Sequence, residues 1–86
     1  MFKPRLFKKA GKYYDNLDAK AARRINAAIE KMIENPVEGP HIKRLRGQYQ
    51  GKYRYAVGDI RIVYEVDSEK KIIWVEAIGP RGDIYK

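Results

Sequence analysis

Lys52, Arg54 and Arg61 fall in the stretch GKYRYAVGDIRIVYEV, residues 51–66, which reads as two short strands meeting at Gly58-Asp59. A two-residue type II′ loop with Gly58 first places Val57 opposite Ile60 and Ala56 opposite Arg61. Tyr53, Tyr55, Val57, Ile60, Ile62, Tyr64 and Val66 then share one face, while Lys52, Arg54, Ala56, Arg61, Val63 and Glu65 share the other. Two guanidinium groups flank a small side chain, a concave positive surface that can hold a phosphate bidentately. The same face also reads as a solvated one, with a Lys52 to Glu65 cross-strand pair worth ~0.2 to 1 kcal/mol.

Two further groups of residues fit an anionic polymer. In IGPRGDIYK, Arg81 and Tyr85 follow the last strand, and glycines and a proline turn the chain there. Arg81 can bend back toward the sheet, and Tyr85 offers either a ring for stacking on an unpaired base, worth ~1 to 3 kcal/mol, or a packing contact on the sheet. In HIKRLRGQYQG, the run Lys43, Arg44 and Arg46 around the apolar Leu45 reads as a solvated loop or as a set of phosphate contacts, salt-dependent and without sequence preference.

These side chains must be carried by a small scaffold. The 86 residues make one domain, 1–86, with a single modest core. Nineteen Lys and Arg against eleven Asp and Glu give a formal charge of +8, favouring a polyanionic partner. With no cysteine and one histidine, His41, neither a disulfide framework nor a thiolate or multi-histidine metal site is available, and no cofactor is expected. No apolar run approaches the roughly 20 residues that cross a bilayer, so a cytoplasmic protein without membrane contact is expected.

FKPRLF forms a short strand that Pro4 confines to a sheet edge. KKAGKYYDNL makes a short helix, and Asp18 caps a second running from Ala19 to about Glu34. In that helix Ala22, Ile25, Ala28, Ile29, Met32 and Ile33 form the apolar stripe, while Arg23, Arg24, Asn26, Glu30 and Lys31 face outward. VEGPHIKRLRGQYQG reads as an irregular connection holding at most one turn. Residues 52–57, 60–66 and 72–78 form an antiparallel meander. The expected fold is α+β, β-α-α-β-β-β, a small antiparallel sheet with two N-terminal helices on one face.

The skeleton KRLRG, YR, GD.RIVYE, IG.RGD.Y resembles the RelE-type toxins of the RelE/ParE superfamily of bacterial toxin-antitoxin systems, over nearly the whole chain. The resemblance implies this same fold, neutralisation by a cognate antitoxin, and ribosome-dependent cleavage of mRNA in the A site by attack of a ribose 2′-hydroxyl on the adjacent phosphate. It also implies that Arg61, Arg81 and Tyr85 occupy the family's active positions, with Arg54 as the basic residue of the first hairpin strand. Ala56 departs from the pattern, standing where the RelE type has a second lysine, and no Glu and His acid-base pair is evident.

Such cleavage needs a proton acceptor, charge stabilisation on the phosphorane and a donor to the leaving 5′-oxygen. Arginine supplies the second role and is a poor base. Lys52 is a base only where nearby positive charge and burial weaken its hold on the proton. Glu76 depends on a register that one residue would invert, and His41 reads as a loop residue. The alternatives are a ParE-like inhibitor of DNA gyrase without nuclease activity and a non-catalytic RNA-binding domain.

Overall fold

The computed structural model describes residues 1–80. Strand β1 (Lys3–Leu6) leads into helices α1 (Lys8–Asp15) and α2 (Ala19–Glu34), followed by β2 (Ile42–Arg44), a 3-10 turn at Gly47–Tyr49, and strands β3 (Lys52–Val57), β4 (Ile60–Asp67) and β5 (Ile72–Pro80). One five-stranded sheet results, in the order β1-β5-β4-β3-β2. This is the expected α+β architecture, enlarged by one strand and made mixed by β1, which pairs parallel to β5. Pro4 lies on that edge strand, where its missing N–H costs no ladder bond on the free side.

The helices form where local chemistry starts and stops them. Asp18 Oδ1 accepts from Ala21 N–H at 2.8 Å, an N-cap worth ~1 kcal/mol. Asn35 leaves helical geometry, and its side chain accepts from the amides of Val37 and Glu38 just before the chain turns to the sheet. Ile25, Ala28 and Met32 on α2 and Ala10 on α1 bury against Tyr55, Val57, Ile62, Tyr64, Ile73, Val75 and Ile78, so both helices cover one face and leave the other uncovered by any described helix. The Tyr64 hydroxyl donates to the Pro36 carbonyl at 2.7 Å, pinning the α2–β2 connection to the core.

The expectation that residues 37–51 form an irregular connection is corrected at Ile42–Arg44, which pair antiparallel with β3. Ile42 packs against the core and Arg44 lies 5.9 Å over the Tyr53 ring, so an apolar stem replaces the apolar residue that a strand pattern leads one to look for. The hairpin register is as the loop chemistry requires: Val57 opposes Ile60, and Gly58 adopts φ 58° while Asp59 keeps a negative φ, the signature of a type II′ turn.

Candidate functional site

Three rows of side chains cross the uncovered face. Residues paired in register point to the same side, so Lys52, Glu65 and Trp74 form one row, Arg54, Val63 and Ala77 the next, and Ala56, Arg61 and Gly79 the third. Ala56, Ala77 and Gly79 supply a low floor. Around it stand Lys52, Arg54 and Arg61, the three cations singled out on β3 and β4. Val63 is only 4% exposed although it lies outside the main core cluster, so the cationic stems and their neighbours shield this face from water.

Each cation is held differently. Arg61 Nη1 donates to the carbonyls of Gly58 at 2.7 Å and Ile60 at 3.1 Å, anchoring the guanidinium at the hairpin tip through one nitrogen and leaving its other N–H groups available. Arg54 Nε is buried with no hydrogen-bond partner among the described residues. Arg54 also faces Lys43 directly across β2 and β3, a like-charge pairing that disfavours folding. A buried donor without an acceptor and two cations opposite one another are unmet interactions that an anion seated there can satisfy.

Lys52 does not pair with Glu65, its partner in register. Its Nζ donates to Glu76 Oε1 at 2.5 Å, reaching past β4 to β5. The irregularity at Val63/Tyr64 explains the geometry: Val63 pairs with Ala77 and Tyr64 with Val75, leaving Glu76 as the extra residue of a bulge. The bulge keeps Glu76 on the uncovered face beside Trp74 and still turns Ile78 into the core, an arrangement that strict alternation cannot reveal.

The basic run divides. Lys43 stands beside Arg54 on the uncovered face, whereas Arg44 turns to the opposite face over Tyr53. Arg44 and Arg46, with Leu45, Gln50, Gly51, Lys52 and Tyr53, line a groove of about 560 Å³ at the far end of β3. His41 packs 5.6 Å from Tyr55, its carbonyl accepts from the Ala56 N–H at 3.0 Å, and it lines a second groove with Arg24, Lys31 and Ala56, at the edge of the third row. Arg24, read from the sequence only as an outward helix residue, lies so close to Gly58 that a Cβ there would meet its guanidinium. No sequence signal marks that contact. Arg81 and Tyr85 lie outside the described residues.

Burial pushes the phenols of Tyr55 and Tyr64 above their ordinary value, for Tyr64 with Tyr53 and Tyr55 adding to the effect, so both remain neutral. Among the described residues no three His, Cys, Asp or Glu side chains are placed to hold a metal ion. No described helix is long and apolar enough to cross a membrane.

The family model described as the ParE toxin of type II toxin-antitoxin systems, parDE, matches residues 5–85, and the chain belongs to that family. Among solved structures it is similar to the archaeal RelE of the RelE-RelB complex from Pyrococcus horikoshii, with 26% identity, TM-score 0.78, and 95% of this chain and 97% of that one covered. It is also similar to a YoeB/ParE toxin from Agrobacterium tumefaciens, with 20% identity, TM-score 0.83, and 93% and 99% covered. A third similar structure is the isolated RelE toxin of E. coli, with 21% identity, TM-score 0.80, and 99% and 92% covered. No curated protein matches the sequence. The chain is thus a toxin of the ParE family of type II toxin-antitoxin systems, with the fold shared by RelE and YoeB.

Proposed function

We propose that this toxin is a ribosome-dependent endoribonuclease that cuts mRNA in the A site and so stops translation. The observation that carries the reading is the buried, unpartnered Arg54 Nε beside the small-residue floor, with Arg61 and Lys52 in the adjoining rows. A phosphate seated there satisfies the orphaned donor and meets the free N–H groups of Arg61 as charge builds on the phosphorane, a contact worth about 3 to 4 kcal/mol per lost donor in comparable sites. By resemblance, Arg81 adds charge stabilisation on the phosphorane and Tyr85 a stacking ring. A codon held by the ribosome arrives in line, an advantage of several kcal/mol that a flexible RNA lacks. Lys43 adds a phosphate contact beside Arg54, and Arg44 and Arg46 add others outside the cleft.

The partner that silences it is a cognate antitoxin, in keeping with similar toxins solved as complexes with RelB and with YefM. The site of action is the cytoplasm, where ribosomes are found. The match to the ParE family model favours a second reading, inhibition of DNA gyrase through the exposed Arg44 and Arg46 groove. Primer extension on mRNA from a translation reaction, run beside a gyrase supercoiling assay, separates the two. A cut within the A-site codon with normal supercoiling is the expected result, and intact mRNA with inhibited supercoiling would move the protein to the gyrase reading.

A further inference from the structure

Resting on the nuclease reading, we infer that Glu76 accepts the proton of the attacking 2′-hydroxyl and that Lys52 is the positioning residue that holds it. The arginines of the cleft cannot do this work, because a guanidinium does not give up its proton in a protein. Lys52 cannot do it in this geometry either. Its Nζ donates to Glu76 Oε1, and an ammonium donating to a carboxylate has no lone pair to offer a hydroxyl.

Glu76 has what Lys52 lacks. Oε1 takes the ammonium, and Oε2 is without a hydrogen bond among the described residues. The two side chains are 26% and 18% exposed, sheltered enough to hold one geometry and open enough to meet a substrate. The bulge sets the carboxylate between the row of Lys52 and the row of Arg54, and its contact with Lys52 Nζ draws it back over β4 toward β3, the strand that also carries Arg54. A phosphate on Arg54 therefore brings the preceding ribose toward Glu76. Glu65, the other carboxylate in these rows, is exposed and is not engaged by Lys52 despite being in register with it.

The step balances without any co-reactant. The 2′-hydroxyl proton passes to Glu76 Oε2, O2′ bonds to phosphorus, and the P–O5′ bond breaks. The 5′-oxygen takes a proton from water, and Glu76 later returns its proton to water. A 2′,3′-cyclic phosphate and a 5′-hydroxyl are left.

Single-turnover cleavage on programmed ribosomes tests the assignment, with ribosome binding and thermal unfolding measured on each variant. Glu76→Gln is expected to slow cleavage about 100- to 10,000-fold, the range for a lost general base, with ribosome binding retained. Lys52→Met should also slow it, and Lys52→Arg should restore cleavage to within about tenfold, since arginine can hold the carboxylate but cannot itself be a base. An active Glu76→Gln, or a Lys52→Arg as slow as Lys52→Met, would overturn the assignment. Should Glu76→Gln not fold, the wild-type pH profile decides: a rate lost toward acid supports a carboxylate base, and one still climbing above about pH 8 overturns it. Wild-type protein that leaves ribosome-bound mRNA intact removes the nuclease reading itself, an outcome distinct from an active wild type with an active Glu76→Gln.

Discussion

Replacing Arg54 with methionine should make the free toxin more stable and less able to cut RNA. Arg54 Nε is buried without an acceptor among the described residues, and the guanidinium faces Lys43 across the β2–β3 ladder. An orphaned buried N–H costs about 1 to 3 kcal/mol, and opposed like charges add a few tenths to about 1 kcal/mol. Methionine keeps an unbranched stem beside Val63 while removing both penalties, so a net gain of about 1 to 2 kcal/mol is expected. For a domain of this size each kcal/mol moves the midpoint by about 4 to 8 °C. Thermal unfolding by circular dichroism reads that gain, and cleavage on programmed ribosomes should fall at least about a hundredfold in the same sample. A midpoint below that of the wild type would refute the reasoning, because it would mean that the guanidinium is satisfied in the free protein and the site is not poised for an anion.

Arg61→Ala should remove about 2 to 4 kcal/mol of transition-state stabilisation, seen as lost cleavage, with only a small change in thermal stability since among the described residues Arg61 otherwise bonds only its own hairpin tip. Tyr64→Phe leaves the buried Pro36 carbonyl without its donor and should cost about 1 to 3 kcal/mol in denaturant unfolding. Because burial raises the Tyr64 phenol above its unfolded value, its contribution is intact below about pH 10 and lost as pH climbs beyond, so stability should fall on the alkaline side and fall less in Tyr64→Phe. Antitoxin affinity should weaken as salt rises, given the +8 charge, and titration calorimetry at two ionic strengths would reveal it; an unchanged affinity would assign the complex to apolar docking.

What could be read from the residues depended on how local the determining chemistry was. The β3–β4 register followed from Gly58-Asp59 because a two-residue loop allows little else, and α2 followed from Asp18 and an uninterrupted apolar stripe. Strand β2 carries no alternating apolar signal because Arg44, at an inward position, covers Tyr53 with its stem and reads as a surface charge. The parallel pairing of β1 with β5 joins segments about seventy residues apart, and nothing local marks it. In the site, Lys52, Arg54 and Arg61 were legible from alternation alone. The face of Glu76 is not readable from alternation, because a bulge, which has no fixed residue signature, sets it and gives Lys52 a partner other than Glu65. Arg24 reaches the hairpin tip only through the packing of α2 on the sheet.

The central claim, that the cationic cleft serves RNA cleavage on the ribosome, is tested most directly by analysing the 3′ end left on mRNA after incubation with purified toxin, with and without programmed ribosomes. A 2′,3′-cyclic phosphate within the A-site codon, formed only when ribosomes are present, is the expected result. Equal cleavage of naked RNA, or intact RNA in both reactions, would contradict it.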